Sequence, residues 1–74
     1  MGSIRILNDI IGETDDYYRI NLIGLDRFDF PCSEDVCVEK DDIEIVSDRE
    51  LLISTTTYYQ LCRWLNMTIN RIEE

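Results

Sequence analysis

Through residue 54 the apolar positions of this chain recur mostly at every second residue, and beyond it they recur every three or four. The first spacing suits a strand with one buried face; the second suits a helix. Residues 17–25 (YYRINLIGL) alternate most clearly. Tyr18, Ile20 and Leu22 face one way, and Tyr17, Arg19 and Asn21 face the other. Residues 4–11 (IRILNDII) are rich in isoleucine. As a strand they place Ile4, Ile6 and Ile10 on one side; as a helix they align Ile4, Leu7 and Ile11. β-branched side chains are stiff at χ1 and favour a pleated surface, so the strand reading is preferred. Residues 12–16 (GETDD) have a turn composition. The two runs then make a hairpin with a loop of about five residues.

Residues 26–35 (DRFDFPCSED) form a connection with two aromatic anchors, Phe28 and Phe30. Pro31 removes a backbone donor and biases Phe30 toward extended geometry. Alternation returns at Val36 and Val38, again at Ile43 and Ile45, and again at Leu51 and Ile53. Lys40-Asp41 and Ser47-Asp48 supply turn residues between them. Ser47 also stands three residues before Glu50, the spacing of a capping box, so 48–53 is open to a helical turn as well. The final segment is the clearest. Tyr58, Leu61, Cys62, Leu65, Ile69 and Ile72 make one helical stripe, uninterrupted by Gly or Pro. Thr57, with Gln60 three residues on, is a candidate cap. The pattern predicts strands over about 4–54 and a helix over about 57–72.

Seventy-four residues make one domain, 1–74. The expected fold is α+β: a small antiparallel sheet of four to five short strands, meander-like, with one C-terminal amphipathic helix packed on one face. A small half-open barrel capped by the helix is the alternative. A hydrophobic content of 45% argues for a folded core rather than disorder. No apolar run is long enough for a membrane-spanning helix, and no signal peptide opens the chain, so a cytoplasmic location is expected. Three cysteines (Cys32, Cys37, Cys62) then imply free thiols in a reducing compartment. A Cys32–Cys37 clip is conceivable. Cys62 lies on the helical stripe and reads as a small buried hydrophobe.

Charge changes the picture most. The net charge is -9. Residues 51–74 are balanced, with Glu73 and Glu74 against Arg63 and Arg71, so the whole imbalance lies upstream. Such a chain repels nucleic acid, which is bound through Lys and Arg. The absence of His removes Ser–His, Cys–His and His-ligand chemistry. The acidic clusters lack the layout of a calcium loop, and structural zinc usually takes four Cys or His ligands. No enzyme activity, cofactor or metal is expected. The expectation is a non-catalytic acidic inhibitor that blocks a basic, nucleic-acid-binding surface of a protein. Electrostatic steering would speed its association. Small acidic proteins of phages and mobile elements, such as anti-CRISPR and anti-restriction proteins, have this general character; no residue motif ties the chain to a named family. The expected partner-binding residues are Asp26, Asp29, Glu34, Asp35, Glu39, Asp41, Asp42 and Glu44, with Tyr17 as the exposed aromatic. Two alternatives share the composition. One is a self-associating structural or adaptor module, possible as a homodimer, whose acids only solubilise it. The other is an immunity protein or antitoxin that neutralises a basic toxin.

Overall fold

A computed structural model describes residues 2–73. Among them the strands are β1 (Ser3–Leu7), β2 (Ile10–Glu13), β3 (Tyr17–Asp26), β4 (Pro31–Glu39), β5 (Ile43–Ile45), β6 (Glu50–Ser54) and β7 (Met67–Ile69). The helix is α1 (Thr55–Leu65), and a 3-10 turn occupies Lys40–Asp42. The class is α+β, with short antiparallel strands and one helix among the described residues.

The strands form two sheets rather than one. The first runs β1-β6-β5; the second runs β2-β3-β4, with β7 also on β3. β4 pairs with β3 along nearly its whole length, from Tyr17↔Glu39 to Leu25↔Pro31. The other edge of β3 is shared, β2 taking the first part and β7 taking Gly24 to Asp26. Residues 4–11 are therefore not one hairpin arm. Asn8 and Asp9 break the run: the Asp9 N–H turns back to Leu7 O at 3.1 Å, and the Asn8 amide donates to Ser47 O at 2.8 Å. Before this corner the chain pairs with β6, and after it with β3. The tail joins the sheets again. Asn70 N donates to Ile23 O of the second sheet, and Ile72 N donates to Arg5 O of the first, both at 2.8 Å.

Both sheets turn their alternating apolar face to one core. Ile6, Ile20, Leu22, Val36, Val38, Leu51 and Ile53 are buried there with Tyr58, Met67 and Ile69. Among the described residues no polar or charged side chain other than the Tyr58 phenol is buried with them. Residues 50–54 are a strand, not a helical turn. Ser47 Oγ accepts from Arg49 N at 3.2 Å and so closes the β5–β6 turn instead of capping a helix.

The helix begins two residues earlier than the stripe suggests and ends well before residue 72. Its cap is Ser54, whose Oγ accepts from Thr57 N at 3.3 Å and bonds Thr57 Oγ1 at 2.8 Å. A Ser54→Ala variant is expected to lose about 1 kcal/mol, measured by urea unfolding, with the β1–β6 pairing intact. Asn66 ends the helix in the left-handed region (φ 54, ψ 44), a conformation Asn tolerates well. Met67 and Ile69 then enter the core from a strand. Ile69 satisfies the helical stripe and also a period of two with Met67, which is why the stripe overran the helix.

Candidate protein-binding surface

The long β3–β4 hairpin positions most of the residues that sequence reasoning selected. Directly paired residues share a face. The outer face thus carries Tyr17 beside Glu39, Arg19 beside Cys37, Asn21 beside Asp35, Ile23 beside Ser33, and Leu25 beside Pro31. Asp35 is tied into this row: it accepts from the Asn21 amide at 2.8 Å and lies 3.8 Å from the Arg19 guanidinium.

One end of the hairpin is acidic. Tyr17, Glu39 and Asp41 surround an open hollow together with Asp15, Asp16 and Lys40. The pairing continues past the strand, with Lys40 N donating to Asp16 O at 2.9 Å, and this brings the β2–β3 turn beside the 3-10 turn. The cation in the hollow is already engaged. Lys40 Nζ lies 2.7 Å from Glu13 Oε2 and 5.1 Å from the centre of the Tyr18 ring. The hydrogen bond to Glu13 holds the ammonium's pKa above its ordinary value, against a smaller opposing effect of burial. Asp15, Asp16, Glu39 and Asp41 are exposed and have no ion-pair partner among the described residues. Sequence reasoning set Asp15 and Asp16 aside as a solvated turn. The signal that finds them is the hairpin register, which places residue 16 opposite residue 40.

The other predicted carboxylates do not join this group. Asp26 lies nine residues along β3 from Tyr17, about 30 Å at strand rise, near the limit of a molecule whose longest extent is 35 Å. Asp26 is also a turn residue: its Oδ1 accepts from Phe28 N at 2.8 Å and from Phe30 N at 3.0 Å. Asp29 sits in that same turn with φ 65. Glu34 is exposed opposite Leu22, on the core-facing side of edge strand β4. Asp42 is half-buried in the 3-10 turn, and Glu44 lies on the first sheet opposite Leu52. The single patch envisaged from sequence is thus divided. Tyr17, Glu39 and Asp41 are together, Asp35 is midway, and Asp26 and Asp29 are at the far end.

That far end is aromatic. Phe28, Phe30 and Trp64 are 65%, 66% and 74% exposed, so none of the three serves the core. The Met67–Asp26 pairing brings the C-terminal end of α1 beside the β3–β4 turn. Arg27 stacks over Phe28 at 5.0 Å. Tyr17 and Tyr59 are exposed, as their positions off the apolar stripes imply.

The thiols are all free. Cys32 and Cys37 lie five residues apart on one extended strand and on opposite faces, about 17 Å at strand rise, far beyond disulfide reach. Burial, then the charges of Asp26 and Glu34, push the Cys32 thiol up. Among the described residues no three Cys, Asp or Glu side chains are grouped to hold a metal ion. Nor is any helix among the described residues long and apolar enough to cross a membrane.

The chain matches no protein family, no curated protein and no solved structure.

Proposed function

We propose that this chain is a non-catalytic, acidic protein-binding inhibitor that docks its hairpin end on a basic surface, one that otherwise holds nucleic acid. The observation that supports this reading is the acidic hollow. Asp15, Asp16, Glu39 and Asp41 stand around Tyr17 while Lys40 is neutralised by Glu13. A local excess of carboxylates presents a field that a cationic groove built for phosphates would accept. A non-catalytic role is favoured by what the core holds: among the described residues no Asp, Glu, Lys or Arg side chain is buried, and the one buried phenol, Tyr58, is spent on the Ile69 carbonyl, whereas desolvation of such groups is a main device by which enzymes tune them. The general character is that of small acidic inhibitors of phages and mobile elements; an immunity protein against a basic toxin would share the mechanism and differ only in its target.

Affinity capture with the immobilised chain is expected to recover a basic protein that is released as salt rises through roughly 0.1 to 0.5 M. The triple variant Asp16→Lys, Glu39→Lys, Asp41→Lys is expected to weaken capture by at least about tenfold. Its circular dichroism is expected to match that of the parent, because all three side chains are exposed. Capture that survives this reversal and disappears in Phe28→Ser, Trp64→Ser would overturn the reading.

The aromatic end favours a second reading, the self-associating or adaptor module. Phe28, Phe30 and Trp64 have the exposure that homomeric or apolar contacts would cover. Sedimentation at high salt separates the two readings. A dimer that persists there and is lost in Trp64→Ser supports self-association.

A further inference from the structure

β4 is an edge strand: among the described residues it pairs with β3 and with no other strand. The hydrogen-bond alternation of an antiparallel ladder fixes which of its groups are unused. Asp26 N donates to Phe30 O and Lys40 N to Asp16 O, so the even-numbered positions of β4 bond across to β3. The opposite edge of β3 agrees, since odd-numbered Asn21 donates to Asp9 O and Ile23 accepts from Asn70 N. The N–H groups of Ser33, Asp35, Cys37 and Glu39 therefore point away from β3. Pro31 occupies the same phase and costs no ladder bond, which is where an edge tolerates proline.

An edge this long must be guarded or used. Its charge decides what it admits. β4 carries Glu34, Asp35 and Glu39 and no basic residue. Pairing with a second copy of β4 sets acid beside acid, which is unfavourable across a ladder. An extended segment bearing Lys or Arg meets Asp35 and Glu39 on the outer face and Glu34 on the other. Val36 and Val38, buried beneath the strand, give β-branched residues of that segment an apolar margin.

We infer that the free edge of β4 accepts an extended, lysine- or arginine-bearing segment of the partner as an additional antiparallel strand. The inference rests on the basic-partner reading above and deepens it. Backbone bonds to Ser33, Asp35, Cys37 and Glu39 supply geometry, and the acids select the sign of the occupant.

The test uses the isotope-labelled full chain and a capped peptide that alternates Lys and Val over about eight residues, the length of a typical strand. Amide exchange at Ser33, Asp35, Cys37 and Glu39 is expected to slow by at least about tenfold on saturation. A peptide of equal charge whose lysines are methylated on the backbone nitrogen loses the donors that face β4 and is expected to leave those amides unprotected. Ser33→Pro, which removes an outward donor and no ladder bond, is expected to weaken Lys/Val binding about tenfold. Should that variant not fold, Glu34→Lys with Glu39→Lys is expected to transfer the preference to a Glu/Val peptide. Equal binding of both basic peptides without protection overturns strand addition and leaves the basic-partner reading standing. No binding of either at low salt overturns both. Protection that grows with protein concentration and needs no peptide assigns the edge to a second copy and overturns the basic occupant.

Discussion

Gly24→Ala is expected to destabilise the fold by at least about 3 kcal/mol, at the upper end of overpacking costs. A Cβ built at Gly24 lies 2.0 Å from the carbonyl oxygen of Thr68, 2.8 Å from its carbon and 3.0 Å from Ile69 Cα. All three are backbone atoms of β7, so no rotamer change relieves the clash. Nor can β7 withdraw freely. Ile69 and Met67 are buried, Ile69 O accepts from the Tyr58 hydroxyl, and Asn70 N is bonded to Ile23 O. Alanine forces β7 off β3 or opens the core beneath it. The loss corresponds to a fall of well over about 10 °C in Tm for a domain this small. Gly12→Ala is the control, because its Cβ meets only Arg19 Cβ at 3.8 Å, an ordinary contact. A Gly24→Ala midpoint within a few degrees of the parent's would show that β7 does not sit on β3 as described.

Tyr58→Phe is expected to cost about 1–3 kcal/mol at neutral pH, because it leaves the Ile69 carbonyl without its donor. Tyr58 is 2% exposed, and its hydroxyl donates to Ile69 O at 2.6 Å, joining α1 to β7. Burial, followed by the neighbouring Cys62, pushes the phenol up to about 12. An unfolded tyrosine ionises near pH ~10. Between these values the unfolded chain releases its proton while the folded chain retains it. Stability therefore falls as pH rises from about 10 to about 12, by an amount on the order of 3 kcal/mol. Phenylalanine has no proton to lose. The stability gap between parent and variant is expected to hold below pH 9 and to narrow through this window. Lys40, held up by Glu13, also loses stabilisation as pH rises through its folded value, but that loss is common to both proteins and cancels in the difference. Urea midpoints of the two proteins across pH 8 to 12 measure the gap. Curves that stay parallel through this range would mean that the phenol is not held neutral by its burial.

The candidate site was legible in part. Tyr17, Glu39 and Asp41 belong to one hollow, and the sequence placed each in the acidic half. The turn role of Asp26 was not legible, because a carboxylate looks the same in sequence whether it faces solvent or caps Phe28 and Phe30 N–H groups. Phe28 and Phe30 read as anchors since aromatics in a small domain usually serve the core, yet the chain places them beyond its end, beside the helix terminus. Asp15 and Asp16 gain their significance only from the register that sets them next to Lys40.

By itself the sequence determined most of the strand cores and the face each would bury, because alternation and burial are both local consequences of a two-residue period; 31–35, read as part of a connection, belong to β4, where Pro31 lies on the phase that needs no ladder bond. Tyr18, Ile20, Leu22, Val36, Val38, Leu51 and Ile53 follow from that period alone. It also determined that a helix exists around Tyr58 to Leu65 and that the excess of negative over positive charge lies upstream of residue 51. Tertiary structure decided the rest. Whether 4–11 forms one strand or two depends on which partners lie on either side of Asn8, and those partners are β6 and β3, remote in sequence. Whether the stripe past Leu65 continues as helix or turns into β7 depends on a seat beside β3 that is open only because residue 24 has no side chain. Local periodicity carries no information about such distant pairings, which alone determine which carboxylates share an end of the molecule.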